Sequence, residues 1–135
     1  MFRIVALAGL LLITGCNAHR EPPQSMCDFP RSFATWKNTD VRWQGILLNA
    51  TPHGMMILAV DCQKRGIAIE RWPVAADMAL GQVTRQNARE SGVIRVDVSG
   101  RITADKMLAV SKVHRLEFEP MTEQQETEFW RSIGS

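Results

Sequence analysis

The side chains of this sequence that contain sulfur or imidazole are the ones that could bind a metal ion such as copper. It contains three histidines, three cysteines and seven methionines. Thioether, thiolate and imidazole ligands suit reduced copper, and they are supplied here by Met26, Cys27, His53, Met55 and Met56. Methionines inside an apolar run more often fill a core. An alternative hypothesis is therefore that the protein carries a metal such as copper or acts as a carrier in a stress response. Our leading prediction is that it has no cofactor.

Catalytic patterns are absent from the sequence. It contains no nucleophile elbow, no paired carboxylates and no zinc-binding helix with two histidines. Asp97 and Glu117 stand alone on strand-like runs, and we interpret them as surface acids. The sequence therefore predicts a protein that is not an enzyme, with glycan processing as the disfavoured alternative.

Tryptophan and arginine side chains on strand-like runs could form a binding surface. Trp43, Trp72 and Arg71, together with Arg42 and Arg95, combine aromatic rings with positive charge, as surfaces for single-stranded nucleic acid do. The chain is nearly neutral, however, with 16 basic and 14 acidic residues. We therefore predict a glycan or protein partner and no nucleic acid. Core packing is the alternative for both tryptophans.

The N-terminus has the architecture of a signal peptide. Arg3 is the only charged residue before position 20, and the apolar run Ile4 to Ile13 is about half as long as a membrane-spanning helix. The run ends in Ile13-Thr14-Gly15-Cys16, which resembles the lipobox of bacterial lipoproteins. An ordinary signal peptide with a chance cysteine is the alternative.

The lipobox resemblance implies where the protein resides. In that family the cysteine thiol receives a diacylglycerol and the peptide is cleaved before it, so acylated Cys16 would attach the chain to a lipid bilayer. Asn17, and not Asp, follows the cysteine, which favours the outer membrane. The resemblance therefore implies a lipid-anchored protein of the bacterial cell envelope that faces the periplasm.

This assignment divides the chain into three parts. Residues 1–15 are the signal peptide, residues 16–26 a lipidated tether, and residues 27–135 one globular domain, since the 120 residues after cleavage are enough for a single core. With Cys16 bound to lipid in an oxidising compartment, we predict that Cys27 and Cys62 form a disulfide. It would close a loop of about 36 residues and stabilise the fold by about 3 to 4 kcal/mol. A reactive or metal-binding thiol pair is the alternative.

Alternation of apolar and polar residues predicts five strands in the domain. They cover Val41–Leu48, Met55–Val60, Ile67–Trp72, Val93–Ile102 and Met107–Phe118. Gly45 and Gly100 interrupt two of them and indicate sharp bends. The alternation changes phase between Val110 and Val113, which indicates a bulge.

Two helices complete the predicted elements. Ala75, Met78, Ala79 and Val83 recur at helical spacing between Val74 and Glu90, and Ser91-Gly92 is expected to end that helix. Thr122-Glu123-Gln124-Gln125 is a capping box for a second, C-terminal helix, which is expected to bury Phe129, Trp130 and Ile133.

The order of three strands, a helix and two strands resembles the OB-fold. We therefore predict a mainly β protein with one or two short helices, built as a small five-stranded barrel, with an open antiparallel α+β sheet as the alternative. In OB-folds the first hairpin loop borders the binding face. His53, which lies in that turn, is thus a candidate binding residue together with Trp43, Trp72 and Arg71, although a solvated turn histidine is the alternative. The resulting hypothesis is a non-enzymatic, membrane-anchored binding or assembly module.

Overall fold

The computed structural model describes residues 25–28, 36–51, 54–60, 62 and 65–134. The predicted signal peptide, the lipobox with Cys16, and His53 lie outside the described residues. A short 3-10 helix, Met26–Asp28, precedes the sheet. The other elements are β1 (Asp40–Thr51), β2 (Gly54–Leu58), β3 (Gly66–Arg71), α1 (Val74–Gln86), β4 (Gly92–Ile102), β5 (Leu108–Pro120) and α2 (Glu123–Gly134).

The five strands form a closed ring in the order β1-β2-β3-β5-β4. Neighbours pair antiparallel except β3 and β5, which run parallel and share only the register pairs Ile69↔Leu108 and Arg71↔Ala109. β1 is long enough to pair with β2 through its second half and with β4 through most of its length. The prediction of a mainly β protein with five strands and two short helices is thus confirmed, and the closure of the ring depends on the short β3–β5 seam.

The core fills the interior of the ring with alternate residues of every strand. Trp43 is fully buried at its centre, and Leu80 is the one α1 residue buried with it. The remaining buried members are Met26, Val41, Leu47, Ile57, Ile67, Ile69, Val96, Val98, Ile102, Leu108 and Val110. Strand alternation places these apolar side chains inside and their polar neighbours outside.

Two glycines allow strands to approach closely where the barrel bends. A Cβ on Gly45 would overlap the carbonyl oxygen of Leu58 and lie 2.6 Å from Cγ2 of Ile57. A Cβ on Gly100 would overlap the carbonyl oxygen of Ala109. A side chain at either position would force the neighbouring strands apart. Both glycines therefore allow close contact of strands at the positions where the sequence predicts bends.

Strand β5 contains two bulges opposite β4. Asp97 pairs with Arg115 and Val98 with Val113, which leaves His114 as an extra residue. Ser99 pairs with Lys112 and Gly100 with Val110, which leaves Ser111 as a second one. The predicted bulge is confirmed, and it is doubled.

Helix α1 ends earlier than the sequence predicts. Its last residue is Gln86, and the amide and side chain of Asn87 both bond the carbonyl of Val83. Gly92 begins β4, so the predicted stop at Ser91-Gly92 is wrong. An asparagine that satisfies a terminal carbonyl ends the helix without a left-handed glycine.

Helix α2 begins with the predicted capping box. The amide of Gln125 donates to Oγ1 of Thr122 at 3.1 Å, and the amide of Thr122 donates to Oε1 of Gln125 at 2.9 Å. The helix packs Phe129 and Ile133 against a second cluster on the outside of the barrel, formed by Ile46, Leu58 and Val93. Trp130, expected to be buried, is 37% exposed. Its ring contacts Phe129 edge to face.

The N-terminal segment is fastened to the β2–β3 loop. Cys27 and Cys62 form the predicted disulfide, with their Cα atoms 5.6 Å apart. Nη1 of Arg65 donates to the carbonyl oxygens of Met26 and Cys27 at 3.1 and 3.2 Å. Met26 itself is 3% exposed within the main core. This cross-link fixes the point where the chain enters the domain.

Candidate functional site

A groove of about 470 Å³ separates α1 from the outer part of β5. We call it the α1–β5 groove. One wall consists of Pro73 and three alanines of α1, Ala75, Ala76 and Ala79. The other wall is the six-residue run Ser111–Leu116 of β5. Alanine side chains stop at Cβ, so this face of the helix leaves space where longer side chains would fill it.

The groove exists because β3 is shorter than β5. β3 ends at Arg71, opposite Ala109, and the chain then turns into α1. Beyond Ala109, no strand in the described part of the chain pairs with the edge of β5 that faces away from β4. The helix lies beside this edge, contacts the barrel mainly through Leu80, and leaves a channel open to solvent.

The α1–β5 groove is lined by basic side chains and, among the described residues, by no acidic one. Lys112 lines it, is exposed, and makes no ion pair with any residue that the structure describes. Nε2 of His114 lies 2.7 Å from Oγ of Ser99. Arg115 also lines the groove and bonds Glu117. This hydrogen bond, helped by the charge of Arg115, holds the pKa of Glu117 below its usual value.

Apolar side chains continue from the groove onto the open face of α1. Val74 is 79% exposed and Met78 is 74% exposed, the highest values among the large apolar residues described. The predicted helical spacing is confirmed, but Ala75, Met78 and Ala79 face solvent and the groove while Leu80 is buried. An exposed methionine beside a groove is typical of binding surfaces, because its flexible thioether adapts to different partners.

Asp97 is the centre of a polar network on the outer face of β1, β4 and β5. The interpretation of Asp97 as a surface acid is wrong, because it is 5% exposed. Nε and Nη2 of Arg42 donate to its two carboxylate oxygens at 3.0 and 2.9 Å, and Nε2 of Gln44 donates at 3.3 Å. The β1–β4 register places Gln44 directly opposite Asp97.

The network determines the protonation of Asp97. Burial raises the pKa of its carboxyl group, but hydrogen bonds from Arg42 and Gln44, with the charges of Arg42 and His114, outweigh this effect. The pKa of Asp97 therefore lies below its usual value. A carboxylate held ionised by a two-point arginine contact is suited to fixing strands together and not to accepting a proton near neutral pH.

A second groove, of about 550 Å³, lies at the other side of α1. It is lined by Thr84, Trp130 and residues of β1 and β4, including Leu48, Asn49 and Ile94. None of the described residues that line it carries a charge. It therefore lacks a described charged group that would orient a charged ligand.

The structure does not place Trp43, Trp72 and Arg71 on one exposed surface, although the sequence predicts this. Trp43 is 0% exposed in the core, so it cannot line a binding surface, and the alternative of core packing holds for it. Trp72 packs against the same core, with its indole nitrogen buried and without a hydrogen-bond partner in the described ranges. Arg71 is exposed at the end of β3, two residues before Pro73.

Three of the four sulfur residues of the metal hypothesis have structural roles in the described chain. Cys27 is in the disulfide, Met26 is buried, and Met55 packs against the core. Among the described residues, no three His, Cys, Asp or Glu side chains are grouped so that they could hold a metal ion. Nor does the described part include a helix that is both long enough and apolar enough to span a bilayer.

Comparison with known proteins gives no family for this chain. It matches no protein-family model, no curated protein and no solved structure. The candidate site is therefore argued from geometry alone.

Sequence reasoning missed the residues that form the groove. No sequence pattern singles out Ala76 or Lys112, and Ala75 and Ala79 serve only as evidence for a helix. A signal was present in the phase change of β5 and in the cluster of alanines on one side of α1. Only the early end of β3 shows that these two features face each other.

Proposed function

We propose that this protein is a lipid-anchored, non-enzymatic binding module of the bacterial cell envelope, and that the α1–β5 groove is its recognition site. The groove is the observation that carries the proposal, since it combines an apolar wall, a basic rim and a strand edge without a strand partner in the described chain. Ligand sites are typically concave, largely apolar and supplied with a few polar groups.

The anchoring part of the proposal depends on Cys16. The lipobox resemblance, the polar tether and the pairing of the other two cysteines support it. Cys16→Ser should move the protein from the membrane to the soluble fraction and abolish labelling with a palmitate analogue. The disulfide and thermal unfolding of the domain should stay unchanged. Continued membrane retention of this variant would refute lipid anchoring.

The binding part is tested by site-specific photo-crosslinking in the envelope. A photoreactive residue replaces Ala79 in the groove, and in the control it replaces Thr127, which is exposed on α2. A discrete crosslinked product from position 79, and none from position 127, is expected. Equal products from both positions, or none from either, would contradict the assignment of the groove as the recognition site.

A further inference from the structure

We propose that the α1–β5 groove binds an extended acidic peptide segment of a partner protein. This inference rests on the proposed binding function and adds the chemical class of the ligand. Three properties of the groove carry it: its length, the sign of its charge, and the bulges in its strand wall.

The length of the groove suits an extended chain. Its strand wall, Ser111–Leu116, is six residues long and spans about 16 Å at the usual rise of a strand. The groove holds about 470 Å³ along this wall and is open to solvent. An extended segment of about five residues would fit, with small or branched apolar side chains against Ala76 and Ala79.

The charge of the groove selects acidic residues. Lys112 and Arg115 line it and His114 lies between them, while no carboxylate is among the described residues that line it. Arg115 already bonds Glu117, so Lys112 is the groove cation with no acidic partner in the described chain. A glutamate or aspartate of the ligand would complete an ion pair with Lys112, whereas a lysine there would be repelled.

The bulges argue against a second copy of this chain as the occupant. Ser111 and His114 disturb the regular spacing of β5, and Lys112 lies on the same stretch. Bulges and edge lysines are features by which proteins prevent strand edges from pairing with one another. Two copies joined through this edge would also bring like charges together. Side chains, and not a continuous backbone ladder, therefore provide most of the recognition.

The experiment uses the mature chain with Ser at position 16 and two fluorescent peptides. One is a seven-residue peptide in which Glu alternates with Leu and Val, and the other has Lys in place of each Glu. Anisotropy should show binding of the acidic peptide only, and weaker binding as salt is raised. Lys112→Glu should weaken it about tenfold or more, whereas Lys37→Glu, the same change at an exposed lysine outside the groove, should not.

Groove-filling variants locate the binding. Ala79→Trp should abolish it, and Ala75→Trp is a second variant at another exposed position in case the first fails to fold. If both peptides bind equally and both lose binding on filling the groove, the acidic class is wrong but the groove remains the recognition site. If filling the groove has no effect on binding, both proposals fail. No binding of the acidic peptide, or a wild-type dimer that Ala79→Trp dissociates, overturns the acidic-peptide inference.

Discussion

Removal of the Asp97 carboxylate should destabilise the fold more than any other loss of a described acidic side chain. Asp97→Ala deletes three hydrogen bonds, two from Arg42 and one from Gln44, between strands β1 and β4. Breaking a fully buried ion pair costs about 3 to 5 kcal/mol. The Arg42 side chain remains 24% exposed, so water recovers part of its solvation. We therefore expect a loss of about 2 to 3 kcal/mol, or roughly 10 to 15 °C in Tm for a domain of this size.

The pH dependence gives this prediction a second test. Because the pKa of Asp97 is lowered in the folded state, its stabilisation is fully present above the unfolded pKa of about 3.9. It is lost as pH falls through the lower folded pKa. The difference in unfolding free energy between wild type and Asp97→Ala should therefore be constant from pH 5 to 7 and shrink below about pH 4.

Urea unfolding across this pH range measures both effects. Asp105→Ala, at an exposed acid in the β4–β5 turn, is the control and should change stability by less than about 0.5 kcal/mol. Combining Asp97→Ala with Arg42→Ala should cost less than the sum of the single changes. An Asp97→Ala variant as stable as the control, or a difference that persists undiminished at pH 2.5, would refute the proposed role of the network.

Three further changes test other parts of the fold. Gly45→Ala should lower the free energy of unfolding, measured in urea, by about 3 kcal/mol, because a Cβ at this position meets the backbone of β2. Gly81→Ala, at an open helical position, should raise it by about 0.5 to 1 kcal/mol. Similar effects of both changes would contradict the close approach of the strands at Gly45. Replacing Cys27 and Cys62 by serine should cost about 4 kcal/mol, and dithiothreitol should reproduce this loss in wild type only. Trp72→Phe should lower stability by less than about 1 kcal/mol in thermal unfolding, because besides some packing it removes only a buried N–H that has no partner in the described chain. A loss above about 2 kcal/mol would show that the indole N–H makes a hydrogen bond.

Local patterns in the sequence were sufficient for most of the fold. Strand alternation located all five strands to within a few residues, because one face of each strand must be apolar. The capping box of α2 was recognised because its partners lie three residues apart. The end of α1 could not be located from the sequence, since both Asn87 and Gly92 can end a helix. In the structure Asn87 ends it, and Gly92 already belongs to β4.

Long-range register limited what could be predicted about the site. Asp97 occupies an outward position of β4, and its burial results from Arg42 and Gln44, which lie 55 and 53 residues away in the sequence. Trp43 showed the aromatic character of a binding residue, but its position on the inward face of β1 decides for the core. The α1–β5 groove likewise depends on how far β3 extends, which no local pattern reveals.

The link between Cys27 and Cys62 has a mechanical consequence for a chain held at its N-terminus. Tension applied there passes through the cross-link directly to the β2–β3 loop, so the 35-residue interval that the disulfide closes carries no load. That interval contains β1 and β2, so force applied at the N-terminus does not pull these two strands out of the sheet. In a single-molecule stretching experiment the oxidised protein should release about 120 Å less contour length than the reduced one.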